Sequence, residues 1–208
     1  MADQSSPAAA ASAAAATGAA AAAAVTMPDA GNPLLAETLL PRFEAIRPEH
    51  VQPAISAVLG ELRARMAEIE AVAQPTFRTV VEPLERLRHR LHKTWSPVGH
   101  LNGVMNSDSL RAAYNACLPL LSEFQTELAQ SEALYRAYTG VQEREGAGLD
   151  PVQREVLEHA LRDFRLAGVA LPPERKARFK TVMMELSQLA AKFEENVLDA
   201  NKEWSHHV

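Results

Sequence analysis

The side chains best equipped to hold a metal or carry a proton are seven histidines and one cysteine, and their spacing supports little chemistry. His89 and His92 stand at i and i+3, a separation that on a helix lets two imidazoles share a cation. Zinc catalysis needs a third ligand and a nearby acid, and no H-E-x-x-H occurs in the chain. Arg86, Arg88, Arg90 and Lys93 surround the pair with a positive field that opposes cation binding, so this stretch reads as a solvated basic face. Glu203 and His206 form the only E-x-x-H, whereas a di-iron bundle requires that motif twice with two further glutamates on facing helices. The adjacent His206-His207 suits an exposed segment. His50, after Pro48-Glu49, is placed to hydrogen-bond in the first turn of a helix. His100, Asn102 and Asn106 form one polar cluster at an expected helix break. They could face a ligand channel or satisfy backbone groups freed by Pro97.

No other chemical signature replaces these. G-x-x-x-x-G-K-[ST], G-x-S-x-G and G-x-G-x-x-G are all missing, which removes phosphate cradles and nucleophile elbows. The basic runs Arg86 to Lys93 and Arg175, Lys176, Arg178, Lys180 lack interleaved aromatics and are flanked by Glu82, Glu85 and Glu174. With a formal charge of -5 at pH 7, they predict solvated helix faces with pairs such as Glu82-Arg86, not a nucleic-acid surface. Cys117 sits among helix-spaced apolar residues as a small buried hydrophobe, and a lone cysteine points to a reducing compartment.

The elements that position these groups are helices. Pro48-Glu49 opens the first, with Val51, Ile55, Val58, Leu59, Leu62, Met66, Ile69 and Val72 on one face and Pro53 in its first turn. Thr76 is the N-cap of a second, whose face runs from Phe77 through Val80, Leu84, Leu87 and Leu91 to Trp95, with Pro83 as a kink. Ser96-Pro97 and Asn102-Gly103 predict a break or a distorted continuation. Ser107 or Asp108 caps a third segment, drawn from 108 to 139 and bent at Pro119. Gly140, Gly146 and Gly148 mark the clearest loop. Asp150-Pro151 starts a fourth helix, with Val152, Val156, Leu157, Leu161 and Phe164 inward and Gly168 closing it. Pro172-Pro173 starts a fifth, which carries Phe179, Val182, Met183, Leu186, Leu189, Phe193 and Val197 as its buried stripe as far as Trp204. The reading is all-α: long amphipathic helices in an irregular bundle.

Residues 1-31 are a separate, Ala-rich material, interrupted by Thr17, Gly18 and Pro28 and without an amphipathic face; they read as a disordered extension to a domain over 32-208. They lack the basic start and strongly apolar middle of a secretory leader and the arginines of a mitochondrial one. Alanine is too weakly apolar for a membrane span, so a soluble, cytoplasmic protein is expected.

Several stretches, taken in order, resemble the amino-terminal helical region of the thimet oligopeptidase-like zinc peptidases, most closely the bacterial oligopeptidase A branch. They are Asn32-Pro33-Leu34-Leu35; Ile46 with Pro48-Glu49-His50-Val51; Ser96-Pro97-Val98 with His100-Leu101-Asn102; Asn106-Ser107 with Leu110-Arg111 and Ala113-Tyr114; Leu118-Pro119-Leu120-Leu121-Ser122-Glu123; Ala160-Leu161-Arg162-Asp163-Phe164; and Leu186-Ser187 leading to Asn196-Val197-Leu198-Asp199-Ala200 and Trp204. The resemblance covers about residues 32 to 208. It implies a helical wall of a deep channel that admits short oligopeptides, with zinc held by H-E-x-x-H and a distal glutamate in a carboxy-terminal part. None of those catalytic, cofactor-binding or metal residues has a counterpart here, so the chain is expected to bind no zinc, to be inactive alone and to be a fragment whose partner is the missing catalytic domain. Such a fragment should expose an apolar patch. The competing reading is a free-standing helical adaptor; a di-iron bundle is the third.

Overall fold

The computed structural model describes residues 31–204, and among them the chain is all-α, with six helices and no strand. The Ala-rich stretch before residue 31, together with His206 and His207, lies outside the described residues.

Helix α1, Pro48–Glu70, begins where the extended backbone of Arg47 meets Pro48 in its first turn. Pro48 suits that place because its missing N–H would have had no helical acceptor. The Arg47 N–H donates to His50 Nδ1 at 3.0 Å, the first-turn task expected of this histidine. An amino-terminal arm is tied down by Asn32, whose Nδ2 donates to the His50 carbonyl at 2.9 Å while its Oδ1 accepts from the Leu34 N–H at 3.0 Å. Pro53 falls inside α1, one turn later than the sequence suggests, and the helix runs through it.

Thr76 caps the next helix as expected, in a reciprocal box: its hydroxyl accepts from the Thr79 N–H, and the Thr79 hydroxyl accepts from the Thr76 N–H. The first turn, Phe77–Val81, is a π turn, followed by α2, Glu82–Val104. Pro83 explains the wide turn. A proline ring clashes with the carbonyl four residues back and offers no N–H, and an i to i+5 turn relieves both problems.

Three boundaries differ from the sequence expectation. Pro97 is buried within α2, which continues unbroken to Val104. The segment drawn from 108 to 139 divides into α3, Asp108–Ala129, and α4, Glu132–Glu145. Ser131 makes the division by capping α4, its hydroxyl accepting from the Leu134 N–H at 3.1 Å while donating to Glu70 Oε1 at 2.5 Å. Gly140 is helical and not part of a loop: a Cβ there would lie 2.7 Å from Pro75 Cγ, so only glycine lets the loop after α1 pack against α4.

Helix α5, Pro151–Leu166, has Asp150 as its cap, with Oδ1 accepting from the Val152 and Gln153 N–H groups. Gly168 closes the helix with φ +79°, and the Val169 N–H reaches the Phe164 carbonyl while the Gly168 N–H reaches that of Arg165. This pairing is the left-handed carboxy-terminal motif that favours glycine. Val152, expected inward, is exposed. Helix α6, Pro173–Glu203, is the longest.

Helix α1 forms the centre of the bundle: Val51, Ala54, Ile55, Val58, Leu59 and Leu62 are buried between α2 and α3. Helix α4 packs on α5 and on the π turn, with Tyr138 edge-on to Phe164 at 5.3 Å. Helix α6 lies against α3. Cys117 is fully buried and burial pushes its thiol up to about 11, as befits an inert core residue.

Candidate functional site

The face that stands open is built by α2, α3 and α6. Helices α2 and α6 flank α3 and leave a trough of about 600 Å³ between them. Leu121, Phe124 and Leu128 of α3 form its floor, Leu87, Leu91 and Trp95 of α2 one bank, and Met183, Leu186 and Ala190 of α6 the other. The floor is fixed from beneath by α1, since Arg63 lies over the Phe124 ring at 5.7 Å and pairs with Glu127 at 2.8 Å. Trp95 is held by stacking on Tyr114, centroids 4.7 Å apart and planes 18° from parallel. The polar groups along the trough, Arg88, His92, Ser122, Gln125 and Ser187, are sparse. Such a surface supports apolar contact; neither of its serine hydroxyls is hydrogen-bonded to His92, and it holds no paired carboxylates.

Helix α6 turns the opposite way from the sequence expectation. Val182, Leu186, Leu189, Phe193 and Val197, assigned to a buried stripe, are exposed, from 41% at Val182 to 69% at Phe193. Among the described side chains of α6, the buried positions are instead Ala191 and Glu195. Polar staples hold that inner side to α3 and its neighbours. Lys180 donates to Glu123 at 2.5 Å and Lys176 to Glu132 at 2.7 Å. Asn115 donates to Glu195 at 2.6 Å, and Arg111 grips both oxygens of Asp199 at 2.9 and 2.7 Å. The Arg111 guanidinium holds the Asp199 carboxyl below its usual range, and Lys180 does the same for Glu123. Periodicity located the apolar stripe, but three side-chain pairs to α3, with Lys176 to Glu132 of α4 beside them, fix which face of α6 is turned inward.

A second cavity of about 290 Å³ lies between the end of α2 and the last turns of α6. Here Asn106 donates to the Asn102 carbonyl and side chain, each at 2.9 Å, and accepts from Arg111 at 3.0 Å. The expected polar cluster thus forms in part and satisfies the Asn102 carbonyl near the end of α2. His100 leaves the cluster and packs against Phe43 at 5.5 Å. Tyr114 borders this cavity, its hydroxyl pushed up by burial and by Glu194.

His92 edges the trough whereas His89 is exposed outside its lining. Among the described residues no three His, Cys, Asp or Glu side chains converge as a metal would require. These residues therefore do not fit zinc. Arg86, Arg88 and Arg90 pair with Glu82, Glu85 and Glu61, and Arg90 also with Glu37, which accounts for the arginines of the first basic run. No described helix is long and apolar enough to cross a membrane.

The sequence of this chain has named relatives. Oligopeptidase A of Haemophilus influenzae is 40% identical over 174 residues, covering 83% of this chain and 26% of that protein. Oligopeptidase A of Escherichia coli is 40% identical over 179 residues, 85% of this chain and 26% of the relative. The organellar oligopeptidase A of Arabidopsis thaliana, chloroplastic/mitochondrial, is 35% identical over 176 residues, 84% and 22% respectively. The chain thus spans about a quarter of the length of the bacterial relatives it matches. The profile of the neurolysin/thimet oligopeptidase N-terminal domain matches residues 55–176, more than half of the chain. By these matches the chain belongs to the neurolysin/thimet oligopeptidase family, as its N-terminal domain.

Proposed function

We propose that residues 32–208 supply a wall of a peptide-admitting channel in a cytoplasmic zinc oligopeptidase, and that hydrolysis requires further polypeptide bearing the metal site. The observation that carries this reading is the apolar trough between α2 and α6, open along its length and poor in reactive groups. A wall built of packed helices admits extended, unfolded peptides and excludes folded proteins by size. Its sparse polar groups give affinity for peptide side chains without selecting one sequence. The relatives named oligopeptidase A support peptides as the substrate class, and a probable cytosolic relative in Arabidopsis thaliana, 34% identical over 176 residues, supports the compartment.

The test has two arms. The purified 208-residue chain, given zinc and a quenched oligopeptide, should show no chelator-sensitive hydrolysis. A chimera in which this chain replaces the matched quarter of Escherichia coli oligopeptidase A should hydrolyse the same peptide. Turnover by the chain alone, or a folded chimera that binds zinc and leaves the peptide intact, would overturn the proposal.

A further inference from the structure

The second cavity differs in chemistry from the apolar trough beside it. Trp95 lines the trough and Tyr114 the cavity, so their stacked rings stand between the two, and the cavity opens one turn further along α2, at Gly99. Its charged lining residues are both acidic, Glu194 and Glu195, and no lysine or arginine joins them. Glu195 is only 9% exposed. Its Oε1 accepts from Asn115 Nδ2 at 2.6 Å, whereas Oε2 stands 3.6 Å from Lys192 Nζ, too far for a hydrogen bond. A carboxylate taken out of water with one oxygen unbonded is costly until a donor reaches it. Helix α2 leaves room for that donor. Gly99 and Gly103 both line the cavity, and a Cβ at either would meet nothing within 4 Å. No contact requires these glycines, and each weakens the helix relative to alanine; what their missing side chains provide is open space.

We infer that this cavity binds an organic ammonium group, with its head on Glu195 and its carbon stem along Phe193, Val197 and Leu198. The inference rests on the function proposed above, and it gives the channel wall a subsite for a peptide's amino terminus or lysine side chain. A peptide lying in the trough reaches it past the Trp95–Tyr114 stack. Size argues against a bare metal ion. The 290 Å³ of the cavity is roughly ten times the ~30 Å³ share of one water, and among the described residues no three metal-ligating side chains converge. Glu194 and Glu195 turn anions away. An ammonium brings a positive charge and three N–H donors. Glu195 Oε2 takes one, and Asn115, whose Nδ2 is engaged with Glu195, offers its side-chain carbonyl as a second acceptor.

Calorimetric titration of the 208-residue chain at neutral pH tests this with three probes. They are a tetrapeptide of alanine and leucine with a free amino end, the same peptide acetylated there, and an acetylated form carrying one lysine. The free amine should bind at least about tenfold more tightly than the acetylated parent, the worth of one charge-assisted hydrogen bond. Glu195→Gln should remove that preference and leave the affinity for the acetylated peptide in place. Because Glu195 also ties α6 to α3, a second variant leaves it untouched. Gly103→Leu grows into the open cavity from α2, should not lower the melting midpoint, and should remove the same preference. The lysine peptide separates the two sources: a gain like that of the free amine admits lysine side chains as well, and no gain restricts the site to the amino terminus. Equal affinity for all three peptides overturns the ammonium site and leaves the proposed function standing. A preference that survives in both variants places the ammonium elsewhere and overturns this cavity. A folded chain that binds none of the three also overturns the site, whereas the function beneath it falls only if the chimera fails to hydrolyse peptide.

Discussion

Arg111 shows how much one residue settles here. Its two hydrogen bonds to Asp199 join positions 88 residues apart, and its bond to Asn106 ties the same cluster to the end of α2. Asp199 has its carboxyl pKa lowered by this partner, so its contribution to stability is fully present above the unfolded carboxylate value of about 4 and is lost as pH falls through the lower folded value. Asp199→Asn should therefore lower the melting midpoint at neutral pH and soften its fall on acidification, the two curves converging once the native carboxylate is protonated. Parallel curves would show that the pair contributes nothing. Gly140 makes a second case. Alanine there gains up to about 1 kcal/mol of helix propensity, but its Cβ would meet the Pro75 ring at 2.7 Å, and overpacking of this kind costs about 1–3 kcal/mol. Gly140→Ala should destabilise by about 1 kcal/mol in chemical unfolding and become stabilising when combined with Pro75→Ala. The glycine was visible in the sequence, yet reading it as loop was wrong because the reason for it lies in a contact with another segment.

At the scale of elements, capping chemistry was the most legible signal. Thr76, Ser107 and Asp150 each accept the backbone N–H bonds that their positions imply. The prolines were read less well. Of the break or distorted continuation expected at Pro97, the helix takes the continuation: Pro97 lies buried inside α2, since packing along α2 outweighs one missing backbone bond. Ser131 carried a start signal, with Glu132 directly after it, that the apolar spacing running across it concealed. Ser131→Ala removes both the cap of α4 and the bond to Glu70, and should cost about 1–2 kcal/mol by urea titration. Recovery of most of that loss by Ser131→Asp would assign it to the cap; no recovery would assign it to the Glu70 contact. Gly168 has φ +79°, and a Cβ there would also meet Leu171 Cδ1. Gly168→Ala should destabilise by about 1–3 kcal/mol, measured in the same way.

For the whole molecule the decisive property is the open side. The exposed ridge of α6 and the adjoining trough form one apolar surface, of the kind that in soluble chains marks an interaction site. The free chain should therefore bind an apolar dye, and Leu189→Glu with Phe193→Glu should abolish most of that signal while changing stability by no more than about 0.5 kcal/mol per site. Dye binding unaffected by these changes would locate the surface elsewhere. The sequence located the apolar stripe of α6 but not its exposure, because that depends on how α6 is turned.

Helical content, most starts and stops, and the angular position of each apolar stripe follow from sequence alone, because they depend on spacing within a turn and on caps a few residues away. Whether a stripe lies inside or outside is a different kind of fact. It was decided by pairs that join distant positions, Lys180 with Glu123 and Asp199 with Arg111, which commit the small and polar side of α6 to α3 and leave its apolar side outward. Local periodicity contains no record of what stands opposite a helix, and only the assembled bundle supplies it.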